Sequence, residues 1–312
     1  MTVEGSPDLS PVGLASDSPP MGHVVCVIVS YRPEVEQLAR LGASIVADGA
    51  RAIVVDNTET PGISQAQVPA DCEVISLGRN TGIAHAQNVG VARAREAGAS
   101  IIVFFDQDSK FEWGFLPALV APLRSGVPEI TSPLFVDDRT GMALPSQRLG
   151  RWGLPQAVYG GAAAEPYPVD IVIASGTAAT QEVFALAGGF DEALFIDGVD
   201  SEWCLRCRSK QIPIYVIPAA VMRHQIGHDL VRLGPFTIFM HSPTRCYYQV
   251  RNCFHLMRKR HVPFGFAFRH TISVVLNRLL ALFLVSDRLA YIKAYLAGLR
   301  DGLKGVAGAK PR

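Results

Sequence analysis

Five apolar residues run directly into two carboxylates in "IIVFFDQDSK" (101–110), and no other stretch limits the fold so sharply. A short run of Ile, Val and Phe bounded by polar residues reads as a buried strand. Strand side chains alternate in direction, so the pattern sends Asp106 and Asp108 to the same side. Two like charges held there repel unless a cation or a donor-rich ligand lies between them.

The same design recurs along the first third of the chain. "HVVCVIVSY" (23–31), "RAIVVDN" (51–57) and "CEVISLG" (72–78) read as strands. Between them lie an amphipathic helix, "RPEVEQLARLGASIVADG", with Pro33 near its start, and "IAHAQNVGVARAREAG", closed by Gly98. Strands alternating with helices predict an α/β fold of Rossmann-like type, a mostly parallel sheet with helices on both faces. Three strands stop at polar residues: Ser30 and Tyr31, Asp56 and Asn57, Asp106 and Asp108. Open α/β sheets bind ligands beyond the carboxyl ends of their strands, so these residues are expected to line one crevice.

What that crevice lacks narrows the ligand. Neither G-x-G-x-x-G nor G-x-x-x-x-G-K-[ST] follows the first strand, which continues instead as "SYRPEVE". A phosphorylated ligand would then need a divalent cation to offset its charge, the task Asp106 and Asp108 suit. Farther along, "GGFDEALFIDGVDSEWCLRCRSKQIPIYVIPAAVMRHQIGH" (188–228) is rich in acids. Residues 201–210 have helical character, placing Asp200 near the helix N-terminus and Glu202 just inside, where acids also serve as caps.

Taken in order, "SY", "VVDN", "GRNTGIAHAQNVG", "DQDS", "GGFDE", "VDSEWCLR" and a later His resemble the inverting family 2 glycosyltransferases of GT-A fold. "FFDQDS", "LFIDGVDSEWCLR", "HQIGH" and "YYQVRN" (247–252) are most similar to bacterial rhamnosyltransferases of surface-polysaccharide assembly. The resemblance covers roughly residues 23–260. It implies that Asp56 hydrogen-bonds the nucleotide base, with Ser30, Tyr31 and Asn57 beside it. Asp106 would reach the ribose or the metal shell, with Gln107 next to it, and Asp108 would coordinate Mg²⁺ or Mn²⁺ against the donor diphosphate. His224 matches a histidine that completes the metal shell in some relatives. Asp200 aligns with the catalytic base; Val199 stands where many relatives carry Glu, which leaves Asp197 as the alternative base. Glu202 and Trp203 become acceptor-side candidates. Arg79, Asn80, Gly82 and Asn88 either hold their loop against the donor or simply start a close-packed helix. The small-residue turn around Ser175, Gly176 and Thr177 would leave room for an acceptor.

Charge is unevenly distributed along the 312 residues, whose net charge is only +1. From residue 245 onward there are 13 Lys and Arg against 2 Asp and Glu, so a basic tail follows an acidic body. Within 264–305, charges interrupt the apolar runs before a membrane-spanning length accumulates. Amphipathic helices of this composition suit an anionic bilayer surface, or else pack on the catalytic domain or on a second subunit as a homo-oligomer. Nucleic acid is excluded by the apolar character and the want of stacking platforms. The first twenty or so residues lack the basic start and apolar core of a signal peptide and read as a disordered lead-in. Six scattered cysteines read as reduced thiols, and Cys204 and Cys207, a CxxC with no second pair, as packing.

The expected organisation is a lead-in at 1–22, a GT-A catalytic domain at 23–245 and a basic, amphipathic helical region at 246–312. The catalytic domain would divide into a donor half (about 23–110) and an acceptor half (about 111–245). The expected activity is metal-dependent, inverting transfer of L-rhamnose from dTDP-rhamnose to a lipid-linked or polysaccharide acceptor, at the cytoplasmic face of the cell membrane. A UDP- or GDP-linked donor, a nucleotidyltransferase and a sugar-nucleotide-binding scaffold are the alternatives.

Overall fold

Alternation along β1 (Val24–Ser30) divides the interior in two. Val24, Cys26 and Ile28 enter one hydrophobic cluster, while Val25 and Val27 enter another on the opposite face. Such two-sided burial requires helices above and below. The structure, a computed structural model, describes residues 20–138, 140–160, 165–224, 230–233 and 236–311; most of the lead-in and the greater part of "HQIGH" lie outside them.

In chain order β1 is followed by α1 (Val35–Ala47), β2 (Arg51–Asp56), β3 (Cys72–Ser76), α2 (Ile83–Glu96), β4 (Ile101–Asp106) and α3 (Phe115–Val120). Next come β5 (Ile130–Asp137), the hairpin β6 (Ser146–Leu149) and β7 (Pro155–Val158), β8 (Tyr167–Val169), β9 (Ala178–Thr180), α4 (Gln181–Ala187) and α5 (Val199–Ser209). β10 (Ile214–His224), the hairpin β11 (Leu230–Leu233) and β12 (Phe236–Phe239), then α6 (Pro243–Arg258), α7 (Phe264–Ala281) and α8 (Arg288–Lys304) complete it. The main sheet has the order β3-β2-β1-β4-β9-β5-β10-β8. It is mixed: β9 runs antiparallel between β4 and β5, and β8 antiparallel to β10. β9 is three small, buried residues with no periodicity of its own, which is why no strand is legible there in the sequence.

Apolar residues of α1 and α3 fill one cluster; α2, α4, α5 and the start of α7 fill the other. α6 lies against α7 and α8. Part of the basic surplus of this region is engaged within the molecule. Arg251 and Arg278 are buried, Arg258 donates to the Gly302 and Leu303 carbonyls, and Arg245 and Lys259 pair with Asp197 and Asp191. Outside, α7 and α8 carry exposed Arg269, Arg288, Lys293 and Lys304 beside apolar residues. Phe264, Phe268, Ile272, Leu276 and Leu279 form an exposed stripe along α7, and Leu289, Ile292, Leu296, Leu299 and Leu303 form another along α8. Among the described residues no helix is long and apolar enough to cross a membrane.

Candidate active site

β1, β2 and β4 end at the same edge of the sheet, because Ser30 pairs in register with Asp56 and Val29 with Asp106. Beside β4 opens a cleft of about 780 Å³ whose lining includes Asp106, Asp108, Ser109, Ser175 and Asp138. The two acids of D-x-D share this cleft, but not through strand alternation. β4 stops at Asp106, and Asp108 sits in a turn closed by the Ser109 N–H donating to the Asp106 carbonyl (3.1 Å). Both side chains are exposed.

Two carboxylates with room for a phosphate suit Mg²⁺ or Mn²⁺, which take hard oxygen ligands and commonly share a pair of carboxylates with substrate phosphates. Among the described residues there is no cluster of three or more His, Cys, Asp or Glu able to hold a metal by themselves. The donor set therefore fits an ion carried in with a phosphorylated ligand. His224 ends β10 in register with Asp137, but its side chain lies outside the described residues.

The loops after β1, β2 and β3 are tied into one wall. The Tyr31 N–H donates to Gln107 Oε1 (2.7 Å), linking β1 to the D-x-D turn. The Ser30 carbonyl accepts from the Asn57 N–H (2.8 Å). Asn57 Oδ1 accepts from the Thr81 N–H (2.7 Å), while its Nδ2 donates to Asn80 Oδ1 (3.2 Å). Asn80 Oδ1 also accepts from the Gly82 N–H, so Asn57 and Asn80 shape the entry to α2. Gly82 itself has φ +87°, and a Cβ there would lie 2.6 Å from the Phe195 ring. Arg79 is exposed at the mouth of this wall, and the Tyr31 ring is partly exposed.

Asp56 departs from expectation. It is wholly buried, and its carboxylate accepts from Thr58 N–H and Oγ1–H on one oxygen and from the Gly62 N–H on the other. Its carboxylate is engaged by its own loop, so it shapes the pocket rather than offering both oxygens to a base. Asn88 is displaced in role too, since its amide bridges the Phe190 backbone and Glu192, fastening α2 to the "GGFDE" turn.

Asp200, in the first turn of α5, opens onto a second hollow of about 500 Å³, bordered by Ser201, Phe135, Leu144, Gln147 and Ile173. Burial first, then the Asp106 charge and lastly Asp197, raise its carboxyl to about 7, against the Ala174 N–H, which favours the ionised form. A carboxyl poised near neutrality is suited to accept a proton. The turn at 173–177 touches both hollows: Ile173 lines the second, Ala174 bonds Asp200, and Ser175 lines the first. Ser175 Oγ also lies 2.9 Å from Ser109 Oγ and accepts from the Asp106 N–H. Gly176 (φ +73°) packs where a Cβ would meet Pro133 at 2.7 Å, and the Thr177 hydroxyl is turned inward to the Ile173 carbonyl.

Two acceptor-side expectations are corrected. Glu202 is 1% exposed and locked among Arg206, His261 and Lys259. Trp203 is buried against Phe184 and Phe190, with its indole N–H donating to the Gly188 carbonyl. Both lie on the core side of α5, away from the hollow Asp200 faces. Asp197, the alternative base, is held on two nitrogens by Arg245 of α6 at 3.0–3.1 Å. Arg245, Arg251 and Asn252 stand out in the structure but carry no assignment from sequence. The available signal was the polar pair Arg251-Asn252 inside an otherwise amphipathic helix.

Comparison with known proteins agrees with this geometry. The profile described as "Glycosyl transferase family 2" matches residues 26–184. The chain is 35% identical over 289 residues to the dTDP-rhamnosyl transferase RfbF of Shigella flexneri, covering 92% of this chain and 97% of that one. Among solved structures it is similar to GalNAc-T7 crystallised with UDP, GalNAc and Mn²⁺, with a TM-score of 0.57 at 16% identity. That match covers 92% of this chain and spans 57% of GalNAc-T7's length. It is also similar to residues 1–349 of S. aureus TarS in complex with UDP-GlcNAc, with a TM-score of 0.53 at 12% identity over 91% and 81% of the two chains. At such identities the structural likeness speaks to the fold.

Proposed function

Because the chain belongs to glycosyltransferase family 2 and has a GT-A fold, we propose that it transfers L-rhamnose from dTDP-rhamnose, with inversion, to a hydroxyl of a lipid-linked or polysaccharide acceptor. Near full-length similarity to a dTDP-rhamnosyl transferase supports this donor. The observation that carries the chemistry is Asp200, a carboxyl poised near pH 7 that faces its own hollow while sensing Asp106 across the 173–177 turn.

In this reading the donor lies in the cleft beside β4, its base near Tyr31 and the Asn57–Asn80 wall, and its diphosphate toward Asp106 and Asp108. A divalent ion bound there would stabilise the charge developing on the diphosphate. The acceptor enters from the hollow lined by Ile173 and Ser201. Asp200 takes the proton of the attacking hydroxyl as the new C–O bond forms at the anomeric carbon. The bond to the diphosphate breaks on the other side, and its electron pair leaves with dTDP. Residues 23–110 then serve the donor and 111–245 the acceptor, with the 173–177 turn aligning them.

The two apolar stripes of α7 and α8, with Arg269, Arg288, Lys293 and Lys304 exposed on the same helices, support seating on the anionic cytoplasmic face of a membrane, where a lipid-linked acceptor would be presented. The test is Asp200→Asn, assayed for dTDP release and product in the presence of membranes bearing acceptor. Transfer is expected to vanish while dTDP-rhamnose binding persists; transfer at wild-type rate would overturn the assignment of the base.

A further inference from the structure

The loop that delivers Asp200 has backbone torsions that L-residues disfavour: φ is +64° at Phe195, +65° at Asp197 and +81° at Gly198. Positive φ at a non-glycine residue costs of the order of 1–3 kcal/mol and persists only where surrounding contacts impose it. Those contacts come from one face of α6. Asn252, 1% exposed, donates its amide to the carbonyls of Leu194 (3.0 Å), Ile196 (2.8 Å) and Asp197 (2.8 Å). Its Oδ1 is fixed in turn by Arg251, which also donates to the Ala193 and Leu194 carbonyls. One turn earlier the Tyr248 ring stacks on Phe195 at 4.6 Å, and at the start of the helix Arg245 grips the Asp197 carboxylate. Positions 245, 248 and 252 fall on one side of a helix, so a single surface reads successive residues of the loop.

We propose that this face of α6 is a clamp whose function is to position Asp200, with Arg245 and Asn252 as the positioning residues. The inference rests on Asp200 being the base. The loop passes directly into α5, so any relaxation of Phe195, Asp197 or Gly198 toward ordinary torsions rotates the first turn that carries Asp200. It also touches the donor side: the Phe195 carbonyl accepts from the Ile83 N–H (2.8 Å) at the start of α2. The clamp therefore joins the donor wall and the base through one strained segment. It also gives a purpose to a buried Arg-Asn pair that neither hollow uses.

The test compares steady-state kinetics of the full-length protein carrying Arg245→Gln, Arg245→Lys, Asn252→Leu or Asp197→Asn, with dTDP-rhamnose as the varied substrate. Arg245 is half-exposed, so its variants are expected to fold even if Asn252→Leu does not. Arg245→Gln should lower kcat by about 10- to 100-fold, the effect of a displacement of about 1 Å at the base. The donor KM should stay within about twofold. Arg245→Lys should recover part of the loss. Combining Arg245→Gln with Asp197→Asn should cost no more than either change alone, because both act through one contact. An unchanged kcat in Arg245→Gln would overturn the clamp, as would a loss confined to KM, which would make Arg245 a donor ligand. If Asp200→Asn is inactive and these variants are not impaired, the clamp fails while the base stands; if Asp200→Asn retains transfer, the base itself fails.

Discussion

Replacing Asp200 by Asn should make the protein more stable while it destroys transfer, and the gain should depend on pH in a defined way. The carboxyl of Asp200 titrates near 7 in the native protein against about 3.8 for an ordinary aspartate. Its folded pKa is raised, so the native state holds the proton that the unfolded chain has already lost. Native stability therefore falls as pH rises from about 4 to about 7, then levels off. The difference corresponds to at most about 4 kcal/mol at pH 8, at about 1.4 kcal/mol per pH unit. Asparagine keeps the shape and can still accept from the Ala174 N–H, but never ionises. For a domain of this size such a gain raises Tm by roughly 10 °C. Melting curves of wild type and Asp200→Asn, without metal or donor, should coincide near pH 4 and diverge up to pH 7. A constant offset across pH 4–8, or none, would refute the account of a carboxyl strained by burial and by Asp106.

Three further outcomes are expected. Gly82→Ala forces a side chain into a conformation reserved for glycine and against Phe195, costing about 2–4 kcal/mol and lowering Tm by roughly 5–10 °C in thermal melts; an unchanged Tm would mean the loop contact is dispensable. Asp108→Ala should remove the part of donor affinity that depends on Mn²⁺, so that titrations with metal and with chelator become alike; a persisting metal effect would place the ion elsewhere. Leu279→Glu together with Leu296→Glu should abolish flotation with phosphatidylglycerol vesicles and leave the melting temperature near wild type. Retained flotation would dismiss the α7 and α8 stripes as the contact. Point changes suit this better than truncation, because Phe266 and Ala267 of α7 belong to the core and Asp301 of α8 bonds Tyr247.

Much of the fold was legible because its strands are continuous apolar runs and its helices amphipathic, as two-sided burial dictates. β9 escaped because three small residues have no period. The ends of β1, β2 and β4 were legible as a binding edge, yet side-chain roles there were not. Asp56 and Asn57 are adjacent, and only the loop geometry shows that one is consumed internally while the other fastens Asn80 and Thr81. Glu202 follows Asp200 by two positions, which at 3.6 residues per turn sends it to the opposite side of α5, whereas Trp203, three positions on and only about 60° round from Asp200, is held inward by its packing on Phe184 and Phe190, which only the folded chain brings together. Arg245 and Asn252 lie some fifty residues beyond the loop they hold, so their partners exist only in the folded chain. The basic tail was legible only in part: Arg245, Arg251 and Lys259 meet acids and carbonyls of the body, which only the folded chain shows, while Arg269, Arg288, Lys293 and Lys304 stay exposed beside the apolar stripes.

The most direct measurement is calorimetric titration of dTDP-rhamnose, UDP-glucose and GDP-mannose into the full-length protein, each with Mn²⁺ and again with excess chelator. The account predicts binding of dTDP-rhamnose in preference to the other two, strengthened by the metal. Equal or stronger binding of UDP-glucose or GDP-mannose, or no binding of any donor with metal present, would contradict it.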